Sequence, residues 1–230
     1  MVFDTTSMMI FGFFALLSWY VSYKLKSKFA KYSQTSLRSN KSGAEVAAAM
    51  LSAHGLNNVE VIFVPGELTD HYNPERKTVN LSEEVYYGRN AAAVAVAAHE
   101  CGHAIQHAEA YSMLQLRSKL VPAVNVASNF MGWLILGGLL LLSITPIPLA
   151  IAVVFFGITT LFSFVTLPVE FDASRRALAW VSQAGIVTSQ EHSMAKDALW
   201  WAAMTYVVAA LSSLASLIYY ALLLFGSSRD

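Results

Sequence analysis

The chain has 230 residues, no net formal charge, 56% hydrophobic residues and only 13% charged ones. A neutral chain has no electrostatic footprint for nucleic acid, so no such partner is expected, and this apolar fraction exceeds what an ordinary soluble domain carries. The single cysteine, Cys101, excludes a disulfide framework.

Ser7 to Tyr23 is an uncharged, largely apolar run, long enough for a membrane span of about 17–25 residues. A cleaved signal peptide has basic residues ahead of its apolar core. Here only Asp4 precedes the run, while Lys24, Lys26, Lys28 and Lys31 follow it. The pattern predicts a retained anchor with an outside N-terminus, and Trp19, Tyr20 and Tyr23 at the inner interface.

Ser42-Gly43-Ala44-Glu45 is a capping box that opens a helix stopping near Gly55. Val59, Val61 and Phe63 alternate as in a strand, and Thr78 to Leu81 reads as a second strand after the turn-rich Asn73-Pro74-Glu75-Arg76-Lys77. The two are expected to pair as a short antiparallel sheet. Ser82, with Glu83 and Glu84, is expected to cap a short helix, and Asn90 to cap the next one.

That next helix carries His99-Glu100-Cys101-Gly102-His103 behind the Ala-rich run Ala91 to Ala98. Residues i and i+4 share a helix face, so His99 and His103 can point their imidazoles at one metal ion. Glu100 then lies where a carboxylate can take a proton from water at the metal, which is the zinc-protease arrangement. The alternative is a surface helix with two solvated histidines, but the Ala, Val and Ile flanks predict a mostly buried helix carrying charge inward. Cys101, two residues from His99, points elsewhere and is read as a packing residue.

From Val121 the composition shifts. Val121 to Leu142 and Ile147 to Leu167 are apolar runs joined by Ser143-Ile144-Thr145-Pro146, which predicts a transmembrane hairpin. Asn125, Ser128 and Asn129 are expected to face other helices rather than lipid. Pro168 ends the second span or restarts it as a new helix, which Gly185 stops. Thr188 to Glu191 is another capping box, opening a helix that runs into a fourth span from about Leu199 to Phe225. Trp200 and Trp201 mark one interface of that span, and Tyr219 and Tyr220 lie towards the other.

Five stretches follow: an anchor over 1–23, a cytoplasmic catalytic part over 24–120, the hairpin over 121–167, a cytoplasmic helical segment over 168–198 and a last span over 199–230. Fourteen of the fifteen Lys and Arg residues then fall inside, only Arg229 outside. Both termini are expected outside, in a multi-pass protein of the cell membrane whose catalytic part is cytoplasmic.

Two histidines do not complete a catalytic zinc site, which takes three protein ligands and keeps one open position. The candidates for the third are His107, Glu109, Glu170, Asp172 and His192. His107 lies a further turn along the same helix, too far up the axis. Glu170 stands out, because it is expected to open a helix just after a span, on the side where charge places the histidines. Its alternative role is to cap a helix N-terminus. Asp172 is read as a group orienting a histidine N–H, or as a partner of Arg175 or Arg176. His54, His71 and His192 are read as surface or packing residues, and Tyr111, His192, Arg175 and Arg176 as candidate oxyanion donors.

An HExxH helix, a transmembrane hairpin and then a glutamate in Pro168-Val169-Glu170-Phe171-Asp172-Ala173-Ser174-Arg175-Arg176 resembles the YugP-like neutral zinc metallopeptidases of bacterial membranes. These are distant relatives of the HtpX and CAAX prenyl proteases. The likeness extends to Asp70-His71-Tyr72-Asn73-Pro74 and on to Ser82. It implies His99, His103 and Glu170 as ligands of one Zn2+ and Glu100 as general base. The HtpX-type motif has Asp four residues after its glutamate, where this chain has Ser174, and Asp172 would substitute at a different angle.

The expected fold is thus a mainly α integral membrane protein. It has four transmembrane helices and a small α+β zincin-like part with an HExxH helix. The expected function is a gluzincin-type zinc endopeptidase acting on a peptide or protein substrate held along the Thr78–Leu81 strand by edge addition. The alternative is a zinc-binding membrane scaffold or adaptor without turnover, which has no need of a base at Glu100.

Overall fold

The computed structural model describes residues 5–227. Asp4 and Arg229, on which the expected orientation partly rests, lie outside the described residues. The chain divides into two compact units, one from 21–115 with 168–204, the other from 1–20, 116–167 and 205–230.

In chain order the elements are α1 (Thr5–Ser33), α2 (Gly43–Ala53), β1 (Glu60–Phe63), β2 (His71–Asn73), β3 (Thr78–Leu81), α3 (Glu83–Tyr86), α4 (Ala91–Ala108), α5 (Ser112–Leu140), α6 (Ile147–Gln183) and α7 (Ser189–Ser227). The four longest, α1, α5, α6 and α7, are long and apolar enough to cross a membrane.

The first unit is built around α4. Its Ala-rich sequence favours helix intrinsically, and Asn90 caps it by accepting from the Ala93 N–H at 2.9 Å. Small side chains let neighbours come close on several sides. Val46, Met50 and Leu51 of α2, Val79 and Leu81 of β3 and Ala177 and Val181 of α6 all join Val94, Ala98, Cys101 and Ile105 of α4 in one buried core. The Ser42 capping box is formed, with Glu45 N–H on Ser42 Oγ at 3.2 Å and Ser42 N–H on Glu45 Oε2 at 2.7 Å. Gly43 is needed there, since a Cβ would stand 2.1 Å from the Val85 carbonyl oxygen.

The sheet departs from expectation. Its order is β1-β3-β2, with β1 and β3 parallel and β2 antiparallel to β3. The turn before Thr78 does make a hairpin, but its first strand is β2. Asn73 Oδ1 accepts from the Glu75 and Arg76 N–H groups, both at 3.0 Å. With β2 on one side of β3, the other side is left to β1, which runs in the same direction as β3. Thr78–Leu81 is therefore the central strand, buried throughout. It has no free edge, and the expected addition of substrate to it is ruled out.

Two smaller expectations also change. Ser82 stands at the start of α3, yet makes no side-chain cap. Its hydroxyl is held by Asp70, whose Oδ1 also accepts from the Ser82 N–H at 2.7 Å. Pro168 neither ends nor restarts a helix, for α6 runs through it, and Glu170 therefore lies inside α6 rather than opening or capping a helix. A proline removes one intrahelical hydrogen bond, and the packed stretch from Val169 onward holds the helix regardless. Further along, Lys28 near the end of α1 bonds Asp197 of α7 at 2.6 Å, and Tyr32 donates to the same carboxylate.

In the second unit α5 and α6 are joined by the short stretch 141–146 and pack against each other. Gly138 makes the close contact, as a Cβ there would meet the Leu149 backbone N at 2.8 Å. Thr160 and Ser213 hydroxyls bond at 2.7 Å and Phe156 stacks on Tyr220 at 5.3 Å, joining α6 to α7. Asn125, Ser128 and Asn129, expected to face other helices, are all exposed in this chain, and Ala127 and Gly138 are the buried residues of α5.

Candidate metal centre

α4 places His99 and His103 one turn apart on one face, with their rings 4.7 Å apart between centroids. α6 brings Glu170 against them because Gly102 has no side chain. A Cβ on Gly102 would lie 2.6 Å from the Ala173 carbonyl oxygen and 3.0 Å from the Ala173 Cα. Glu170 Oε2 then stands 3.3 Å from His99 Nε2 and 3.7 Å from His103 Nε2.

These spacings fit a shared ion. Ligand atoms about 2.0–2.2 Å from one tetrahedral zinc stand about 3.3–3.6 Å from each other. The three residues offer ligand atoms that all lie within 4.8 Å of one another. Two imidazole nitrogens and one carboxylate oxygen are a borderline-soft set suited to zinc, and three protein atoms leave a fourth position open. Burial alone would depress the His103 imidazole, but the Glu170 and Glu100 carboxylates beside it reverse this and raise it.

Each histidine is also held from behind. His99 Nδ1 is 3.1 Å from Ser174 Oγ, so the residue that replaces the HtpX-type aspartate touches the ring itself. His103 Nδ1 is 3.1 Å from Gln106 Oε1. Asp172 touches neither ring. It accepts from Gln106, Arg175 and Arg176, and Arg176 also donates to Glu109 at 2.7 Å.

Glu100 is buried, and its Oε2 accepts the Tyr72 backbone N–H at 3.0 Å. The Tyr72 hydroxyl bonds His107 Nδ1 at 2.9 Å, so His107 is engaged away from the cluster. Sequence reasoning missed Tyr72 and Gln106. A three-residue strand shows no periodicity, though Gln106, a polar residue three positions after His103 in an Ala-rich helix, was a signal. Arg175 and Arg176 are spent on Asp172, and His192 lines a cavity of about 330 Å³ with Phe171, Ser174 and Trp200. Cys101 is buried, 3.6 Å from the Ala47 carbonyl oxygen, and burial pushes its thiol far up, as befits a packing residue.

The sequence matches the family described as "Putative neutral zinc metallopeptidase" over residues 7–225. It is 45% identical over 214 residues to "Putative membrane protease YugP" of Bacillus subtilis (strain 168), covering 93% of this chain and 94% of that protein. No solved structure matches it significantly. A near-complete match, four apolar helices and a His-His-Glu cluster of zinc-like spacing agree with one another, and the chain belongs to the neutral zinc metallopeptidase family of membrane proteases.

Proposed function

We propose that the chain is a gluzincin-type endopeptidase that hydrolyses peptide bonds at the cytoplasmic face, with His99, His103 and Glu170 as zinc ligands and Glu100 as general base. One observation carries the reading: Glu100 lies one residue from His99 with its carboxylate fixed by the Tyr72 N–H, beside three side chains spaced to share an ion. Zinc held there supplies Lewis acidity that polarises a carbonyl and lowers the pKa of water towards about 7. Glu100 takes the proton of the attacking water and returns it to the leaving amine. The Tyr72 N–H orients the carboxylate for both transfers, while Ser174 and Gln106 steady the two imidazoles.

The peptide is expected along β2, whose outer edge meets no other strand among the described residues. The Tyr72 N–H points off that edge towards Glu100, so a substrate backbone adding there arrives beside the base. The catalytic part is drawn from 24–120 and 168–198, and the membrane part from 1–23, 121–167 and 199–230. Basic residues concentrate in the former, which supports the cytoplasmic assignment.

The test is zinc content and casein hydrolysis by the purified full chain. Wild type should hold one zinc and cleave casein, and a chelator should abolish cleavage. Glu100→Gln should keep zinc and lose about 10²–10⁴-fold in rate, the usual contribution of a positioned base. A zinc-loaded wild type with no hydrolysis would favour the scaffold instead. For orientation, cysteines replacing Glu75 and Ser189 in a Cys101→Ala background should react with an impermeant reagent only after permeabilisation, and one replacing Ser143 in intact cells. Glu75 and Ser189 positions labelled from opposite sides would put Glu170 and the histidines across about 30 Å of hydrocarbon, and the site could not exist.

A further inference from the structure

We infer that Gln106 is a positioning residue that fixes which nitrogen of His103 faces the metal and clamps the helix of the histidines to the helix of Glu170; the metal part of this rests on the zinc reading above. Gln106 is 0% exposed. A buried primary amide has two N–H donors and one oxygen acceptor to satisfy. Gln106 Nε2 lies 2.8 Å from the Val169 carbonyl oxygen and 3.0 Å from Asp172 Oδ2. A carbonyl and a carboxylate can only accept, so these partners require the nitrogen on that side and consume both of its hydrogens. The oxygen is left facing His103 Nδ1 at 3.1 Å, where it can only accept.

The proton of the neutral ring therefore sits on Nδ1, and Nε2, which points at Glu170, keeps its lone pair free for a metal. The same amide holds α6 on both sides of Glu170, at residues 169 and 172. Asp172 is kept in place by Arg175 and Arg176, and Arg176 reaches Glu109 just past the end of α4. One path of hydrogen bonds thus ties the third ligand's helix to the histidine helix and sets the tautomer at the same time. A glutamine present only for packing would require neither a particular amide orientation nor a particular His103 tautomer.

The test uses the full chain in detergent with 15N-labelled histidine. In the zinc-free wild type, at a pH high enough to leave the His103 ring neutral despite the carboxylates that raise it, the ring should show Nδ1 protonated and Nε2 bare; a neutral ring protonated at Nε2 overturns the proposal without any substitution. Gln106→Met keeps the volume and removes every hydrogen bond of the amide. It should give a mixed tautomer and weaken zinc or cobalt binding about 10- to 100-fold, the usual effect of losing such a support. Val181→Ala, a buried change on α6 outside this network, is the control for stability alone. Metal affinity falling no further in Gln106→Met than in Val181→Ala overturns the clamp. A wild type that binds no zinc would fail the metal reading, while the tautomer measurement would stand.

Discussion

α4 and α5 are both apolar helices, and they solve opposite problems. α4 is made of small residues, and Ala91, Val94, Ala97 and Ala98 are all 0% exposed. α5 carries large ones, and Phe130, Trp133, Leu136 and Leu140 are 56%, 75%, 47% and 61% exposed. Small residues let backbones approach, which is what a site assembled from several elements needs. Large outward residues leave surface that only hydrocarbon or another chain can cover. Apolar composition alone therefore does not separate α4, which carries the metal cluster's histidines, from the apolar span-length α5; here side-chain size does.

The sharpest way to break the comparison is at the close contact's product. Glu170→Ala should strip zinc and with it all peptidase activity, because it removes one of the three ligands proposed above. Metal analysis of purified protein decides this. Asp172→Ala, which reaches His103 only through Gln106, should lose only about 10- to 100-fold. The reverse order would move the third ligand to Asp172.

The contact itself comes next. Gly102→Ala sets a Cβ 2.6 Å from the Ala173 carbonyl oxygen. Overpacking costs about 1–3 kcal/mol, and backbone cannot rotate aside, so the upper end is expected. α6 must move as a whole and carry Glu170 away from the histidines. Thermal melting and zinc titration should therefore fall together.

The part of the site that lay within one helix could be read from spacing. His99 and His103 follow from the i, i+4 rule and Glu100 from its place in the motif between them, and Glu170, 71 residues from His99, could be singled out from expected span lengths and charge and does lie against the two histidines. The supports were not legible to the same degree. Gln106 and Ser174 matter through the orientation of an amide and a hydroxyl, which no periodicity records. Tyr72 sits in a strand of three residues, and its turn was credited to the wrong partner. Parallel pairing of β1 with β3 arises from competition for β3's two edges, which only the assembled sheet decides.

A gentler test of the same contrast uses α5. Gly138 also makes a close backbone approach, its Cβ position lying 2.8 Å from the Leu149 N. Gly138→Ala should cost about 1–3 kcal/mol by the same overpacking. It should leave zinc affinity unchanged, because none of the metal-cluster residues lies in that unit. Loss of zinc in this variant would show the hairpin and the centre to be coupled.

The smallest effect separates lipid from a protein partner on the outer face of α5. A Cβ at Gly132 would meet nothing within 4 Å. If hydrocarbon covers that face, Gly132→Ala adds a methyl to a fluid surroundings and removes a glycine from a helix interior. Helix propensity then favours alanine by up to about 1 kcal/mol, so melting in a bilayer mimetic should stay level or rise slightly. Gly132→Leu should be tolerated as well, since fluid lipid makes room for a larger side chain. If another chain packs there, small residues at the contact are needed for close approach, and the leucine variant should dissociate or destabilise the assembly. Light scattering of Gly132→Leu beside wild type therefore asks directly what the exposed large residues of α5 are for: unchanged mass and melting assign the face to lipid, and a lost higher-order species assigns it to a partner helix.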